Sequence, residues 1–151
     1  MTSHAPQDPE FEPRVRASFS RQRFMATIGA RLARVAAGEV DIELDVRDDL
    51  TQQHGFLHAG VLAAAADSAC GYAAFSLMPP EARVLSVEFK VNLMKPAAGT
   101  RFRAVGRVVR SGRTLTVCSG EVSAERDGRE TVVALMQATM MAVRDSSEPV
   151  G

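Results

Sequence analysis

Asp67 is the only fully charged residue between His58 and Glu81, in a run of alanines, leucines and aromatics that reads HAGVLAAAADSACGYAAFSLMPP from His58 to Pro80. A helix of that composition can be buried on nearly every side, where an ionised carboxylate is costly unless it is hydrogen bonded or paired. Two readings of Asp67 stand side by side. It can satisfy local backbone groups or cap the second half of a broken helix. Alternatively, it can accept a proton or act as a nucleophile. The residues just ahead of it add to the second reading. Gly55, Ala59 and Gly60 surround His58, and small residues let a ligand come close to backbone. The first N–H groups of a helix starting there are unpaired and carry the positive end of its dipole, so they can hold an anion or a developing oxyanion. The carboxylate lies roughly two turns farther along, and a second subunit's helix could bring it opposite those donors. His58 itself can fix the loop or touch a substrate. There is no HExxH pattern and no His/Cys/Asp cluster, so no metal site is expected.

The chain of 151 residues suits one domain with its own core. Its 18 basic and 18 acidic residues cancel, giving no global field for nucleic acid or an anionic membrane. The charges are nevertheless segregated. Six acids and the single base Arg47 occupy Glu39 to Asp49, whereas Arg101, Arg103, Arg107, Arg110 and Arg113 fall in a stretch with no acid, which allows a local anion site. Cys70 and Cys118 have no CxxC spacing and read as small core residues in a reducing compartment. Neither a signal-peptide pattern nor an 18-residue apolar run is found, and a cytoplasmic location is expected.

The elements that must position these residues follow from periodicity. Residues 1–14, with three prolines, read as a flexible arm, and residues 146–151 as a flexible tail, leaving a single domain over 15–145. A helix is expected from about Ser18 to Val35, with Phe19, Met25, Ile28 and Leu32 as its apolar stripe and Gly38 as a stop or turn. From Val40 to Val46 apolar and acidic residues alternate, as in a half-buried strand. A connection over 47–57 leads to a long helix from Gly60 to about Leu77, ended by Pro79-Pro80. A second alternation, Ser86 to Leu93, places Val87, Phe89, Val91 and Leu93 together. Further strands are expected near 101–110, 114–125 and 130–143, parted by Ser111-Gly112 and Asp127-Gly128. Four consecutive strands after one long helix imply an α+β fold with antiparallel pairing. The last strand is apolar on both faces, so a second subunit is expected to cover the side turned away from the helix.

Three segments carry a family resemblance: TQQHGFLHAGVLAAAADSACGYAA, LSVEFKVNLMKPAAG and VVRSGRTLTVCSGEV. Together they resemble the hotdog-fold acyl-CoA thioesterases of the phenylacetate-pathway (PaaI-like) type over about residues 38–143. The resemblance implies a curved antiparallel sheet wrapped around a long central helix, here with an additional N-terminal helix. It also implies a homodimer with active sites between subunits, and room for a dimer of dimers. On this chain Asp67 takes the position of the acid that activates water or attacks the thioester. Ala59 takes that of the backbone N–H that binds the thioester oxygen, with Gly60 keeping the turn compact. Gln52 stands where members orient water or polarise the carbonyl, and Ser86 where some assist with water. The HAG turn departs from the commoner HGG. Alanine keeps the amide N–H and suits a helical first turn, provided that no positive φ is required.

The implied reaction is hydrolysis of an aromatic or medium-chain acyl-CoA to the free acid and CoA, with no cofactor. Arg110 and Arg113, beside the Ser111-Gly112 turn, with Lys90 and Lys95, are the candidate phosphate contacts. Leu57, Val61, Phe75 and Leu85 are candidate acyl contacts. A non-enzymatic acyl-CoA-binding or sensor protein is the principal alternative, and an enoyl-CoA hydratase or dehydratase a further one.

Overall fold

The computed structural model describes residues 4–144. Two helices, α1 (Phe11–Arg21) and α2 (Arg23–Thr27), open the chain. A hairpin follows, of β1 (Arg31–Ala36) and β2 (Glu39–Asp45), and then a 3-10 turn at Asp48–Leu50. The long helix α3 spans Ala59–Phe75. Four strands complete the fold: β3 (Arg83–Leu93), β4 (Arg101–Ser111), β5 (Leu115–Arg126) and β6 (Arg129–Val143). All pair antiparallel in one six-stranded curved sheet of order β1-β2-β4-β5-β6-β3, the hotdog arrangement.

Helix α3 forms because its alanines cost little side-chain entropy, and it is retained because the sheet curves around it. Ala65, Ala66, Ala69, Cys70, Ala73 and Ala74 are at most 1% exposed. The sheet comes close enough that a Cβ on Gly106 of β4 would lie 2.3 Å from the carbonyl carbon of Ala69, so any side chain there would push helix and sheet apart. Val40, Ile42, Leu44, Phe102, Val122 and Met140 complete the core from the sheet side. Both cysteines are buried free thiols in this layer, and burial pushes the Cys118 thiol up to about 12.

The N-terminal third departs from the expected single helix over 18–35. Residues 11–14, expected in an irregular arm, form the first turn of α1, and the preceding residues are tied down as well. Asp8 is 6% exposed and pairs with Arg14 at 2.8 Å, and the His4 ring contacts the Val108 carbonyl at 3.1 Å. Helical structure ends at Thr27, Gly29 adopts φ 71°, and Arg31–Ala36 is a strand. A positive φ breaks a helix and is accessible to glycine. The apolar stripe was real, but its members belong to different elements. Met25 and Ile28 are buried, whereas Leu32 packs from β1. Gly38 makes a turn, the second of its two expected roles, and the turn is that of the β1–β2 hairpin. The expected tail, 146–151, lies outside the described residues.

Candidate active site

α3 presents Asp67 near its middle, half buried, on the side facing β3. The register of β3 on β6 sets Ser86 opposite Met140, on the helix side of the sheet. From there the Ser86 hydroxyl donates to Asp67 Oδ1 at 2.7 Å. Burial raises the Asp67 carboxyl above its usual range, and the Ser86 hydrogen bond offsets part of that rise. No cation pairs with Asp67 among the described residues. A half-buried carboxylate with a raised pKa and a single hydroxyl donor has free lone pairs and increased basicity, the properties of a general base.

The beginning of α3 has a different geometry. His58 is the N-cap, and its Nδ1 accepts the Gly60 N–H at 2.8 Å. A Cβ on Gly60 would lie 2.9 Å from that same nitrogen, so glycine is what allows the histidine to fold back. This satisfies one helix-start donor and leaves another open: among the described residues the Ala59 N–H has no acceptor. Ala59 is not among the residues with positive φ, so alanine in place of glycine carries no backbone strain. The His58 ring thus braces the turn through Nδ1.

Gln52 sits in a short turn bridged by Thr51 and Leu57. Its Oε1 accepts the His54 N–H, which leaves the amide NH2 without an intramolecular acceptor among the described residues. Gln52, Ala59 and Lys95 line one cleft together with Leu57 and Leu62. The site residues therefore fall into two groups, Asp67 with Ser86 and Gln52 with Ala59. Eight residues of α-helix separate Asp67 from Ala59, about 12 Å along the axis. A water-activating base and an oxyanion donor must act within about 3 Å of one carbonyl. Within one chain the two groups cannot do so.

Of the four expected phosphate contacts, Lys95 stands on the Ala59 cleft. Lys90 pairs with Gln137 on the face of the sheet away from α3, and Arg110 and Arg113 lie at the β4–β5 turn, outside the clefts around Asp67 and Ala59. The arginine-rich strand is largely spent internally. β2 runs beside β4 so that Glu39 pairs with Arg107, Asp41 with Arg103 and Asp45 with Arg101. Among the acyl candidates, Phe75 lines a cleft beside Asp67 and Leu57 lines the Gln52 cleft, whereas Leu85 is 47% exposed on the outer face beside Met141.

The N-terminal helix adds residues that sequence periodicity did not flag. Gln22, at the joint between α1 and α2, accepts from the Ser68 hydroxyl at 3.4 Å and borders both clefts that meet at Asp67. Ser18 Oγ lies 3.3 Å from the Tyr72 hydroxyl. Arg14 donates to the Phe75 and Met78 carbonyls at 3.2 and 2.8 Å and stacks over the Phe75 ring at 4.2 Å. A cation is favourable at a helix C-terminus, and here it docks α1 onto the end of α3. The extra charge of Arg14 and its spacing from Asp8 were visible in the sequence, but nothing in them named the carbonyls it would reach.

Comparisons with known proteins agree with this architecture. The model of the thioesterase superfamily matches residues 54–131. A solved structure of a thioesterase family protein from Silicibacter pomeroyi is 52% identical, covers 89% of this chain and 99% of its own, and superposes with a TM-score of 0.88. The PaaI protein of the Escherichia coli phenylacetic acid degradation operon is 17% identical over 91% of this chain and 96% of its own. Its TM-score of 0.81 shows a shared fold. The 1,4-dihydroxy-2-naphthoyl-CoA hydrolase of Listeria monocytogenes is 24% identical over 67% of this chain and 82% of its own. With a family match over more than half its length and a hotdog sheet around α3, this chain belongs to the thioesterase superfamily and is a thioester hydrolase.

Proposed function

We propose that the protein hydrolyses an aromatic or medium-chain acyl-CoA to the free acid and CoA, with Asp67 as general base. The observation that carries this reading is the half-buried Asp67 carboxylate, with no cation partner among the described residues, held by the Ser86 hydroxyl on a cleft wall. In this mechanism Asp67 takes a proton from water as the water oxygen bonds to the thioester carbonyl carbon. The carbonyl electron pair moves onto oxygen, where the Ala59 N–H and the Gln52 amide donate to it. Collapse reforms the C=O bond and breaks the C–S bond. The departing thiolate then takes the proton from Asp67.

The separation of Asp67 from Ala59 makes this an inter-subunit reaction: the base comes from one subunit and the oxyanion donors from the other. Edge strand β3 supports a second copy there. Phe89, Leu93 and Met94 on and after it, and Phe24 beside it, are 47–54% exposed, an apolar strip along an unpaired sheet edge. The proposed unit is a homodimer. Lys95, beside Ala59, takes a CoA phosphate. Among the described residues no helix is long and apolar enough to cross a membrane, and the proposed setting is the cytoplasm.

The test is an acyl-CoA panel read by free-thiol release, with Asp67→Asn in parallel. The wild type is expected to release thiol from at least one member and Asp67→Asn to lose nearly all of that activity. Thiol release at the wild-type rate in Asp67→Asn would remove the assigned base. Loss of enoyl absorbance without thiol would replace hydrolysis by hydration, and saturable binding with no turnover would make the protein a sensor.

A further inference from the structure

Two clefts meet at Asp67, and they differ in their walls. One runs toward the beginning of α3 past Gly60, Ala63 and Ala64, and opens beneath the exposed Phe24 and Phe89. The other, of about 600 Å³, runs toward the C-terminal end of α3, beneath α1. Its wall one turn beyond Asp67 is Gly71, which shares Asp67's face of the helix. Glycine in a helix interior is less favourable than alanine, and α3 uses alanine at half of its other positions. The other glycines packed around this helix are explained by the protein itself: Gly106 by the Ala69 backbone, Gly120 by the Cys70 thiol and Gly60 by the His58 ring. Gly71 is not. A Cβ placed on it would come no nearer than 4.0 Å to any described residue outside the adjoining helix, at Met140 Sδ, which is ordinary contact. The space beside Gly71 is empty of protein and adjoins the proposed base.

We infer that Gly71 is a specificity-determining residue: its missing side chain leaves room for the acyl group next to the thioester carbonyl. The acyl portion thus runs from Asp67 under α1 toward Tyr72 and Phe75. This rests on the thioester-hydrolysis reading of Asp67. The far end of the cleft suits an acyl group better than the CoA arm. Tyr72 and Phe75 close it with rings 6.2 Å apart, edge to face, and both are largely buried. Of the three arginines on this cleft, Arg14, Arg21 and Arg83, the one stacked on Phe75 at the closed end is Arg14, and it is already engaged by the Asp8 carboxylate and by the carbonyls that end α3. The ligand class is an acyl-CoA with a chain or ring well beyond acetyl, and α1 forms the roof over it.

The experiment compares kcat/KM for acetyl-CoA, hexanoyl-CoA and benzoyl-CoA between the full-length wild type and Gly71→Ala, with thermal melting and light-scattering mass measured on both. The expected result is a fall of at least tenfold in the ratio of the larger substrates to acetyl-CoA. It is accompanied by a rise in Tm of about 2 °C from the better helix former and by an unchanged mass. An equal loss on all three substrates would place the CoA arm in this cleft and overturn the inference. A lower Tm or a changed mass would do the same, by showing that glycine is needed for packing, within the subunit or against a second copy. An unmoved ratio in a protein whose thiol release depends on Asp67 removes the role of Gly71 alone. A wild type that releases thiol from none of the three while binding them removes both the hydrolase reading and this inference.

Discussion

Asp41, on β2, is 2% exposed and receives both the Nε–H and an Nη2–H of Arg103, at 3.1 and 2.7 Å. Asp67, on α3, is less deeply buried and receives one hydroxyl, that of Ser86. The first carboxylate belongs to a ladder of ion pairs across β1, β2 and β4, in which Arg31, Arg34, Arg101 and Arg107 also meet acids. Its second oxygen, Oδ1, has no partner among the described residues, so the Arg103 contact carries nearly all of the compensation. The contrast shows how the fold accommodates a buried carboxylate that only supports structure: it supplies a cation from the neighbouring strand. At Asp67 it does not, although α3 lies within one sheet of a strand rich in arginine. Desolvation there raises the proton affinity of the group, which is a cost to stability and an advantage to a base.

The sign of that cost can be worked out. Asp67 has a folded pKa above the unfolded value of 3.8, so between those two values the native state binds more protons than the unfolded chain. Stability therefore declines as pH rises from 3.8 through the folded pKa, and the deficit stays in place above it. Asp67→Asn removes the charge and should break the comparison most strongly. We expect kcat/KM to fall about 10³-fold in the thiol-release assay, consistent with loss of a general base. The variant should also melt higher than wild type at neutral pH, with the difference narrowing as pH is lowered toward 3.8. An Asp67→Asn protein that melts lower at neutral pH would mean that the carboxylate is stabilising.

Arg103→Ala tests the other side. It strands Asp41 without its cation and should cost about 3 kcal/mol of stability in denaturant unfolding, while activity per folded molecule is retained. Adding Asp41→Asn to that variant should restore part of the loss, because a neutral amide is cheaper to bury. Ser86→Ala sharpens the Asp67 half. Its hydroxyl favours the ionised carboxylate, so removing it should raise the Asp67 pKa further and move the acid limb of the kcat/KM profile to higher pH. Turnover above that limb should fall by roughly tenfold or less, a secondary effect beside loss of the base. The smallest effect is expected at the Glu12–Arg16 pair, where both side chains are about half exposed. Arg16→Ala should change stability by at most about 0.5 kcal/mol, showing that the Asp41 effect comes from burial and not from ion pairing as such.

Much of the fold was legible along the chain. The alternation from Val40 to Val46 became β2, the apolar run became α3, and the turns at Ser111-Gly112 and Asp127-Gly128 separate strands within a residue or two of the expected bounds. β1 was not legible. A register shift between Leu32 and Arg34 breaks its alternation, and Phe19, Met25, Ile28 and Leu32 happen to repeat at helical intervals. A bulged edge strand leaves no period-two signal, and pairing with β2 supplies what the local pattern lacks. In the site, Asp67 was conspicuous as a lone charge, and Ala59 through the small residues of its turn. Gln22 was not, because it lies at a joint between helices where a single one was expected. Arg110 and Arg113 were drawn from charge clustering and Lys90 from the polar side of its strand, and neither signal tells which face of a strand meets the site.

By itself the sequence determined the elements whose hydrophobic period is intact and the presence of one acid that its own helix cannot neutralise. Both are local properties, written in the spacing of apolar residues over one or two turns. Only the tertiary structure decided that Ser86, nineteen residues away, holds that acid. Likewise, only it showed that the acidic segment of β2 neutralises the basic strand β4, and that α1 covers the cleft beside Gly71. Those contacts depend on strand register and helix docking, which are set by pairing between distant segments. The rigid rise of α3 then adds a constraint of its own. It holds Asp67 about 12 Å from the Ala59 amide within one chain, a distance too great for one carbonyl to span.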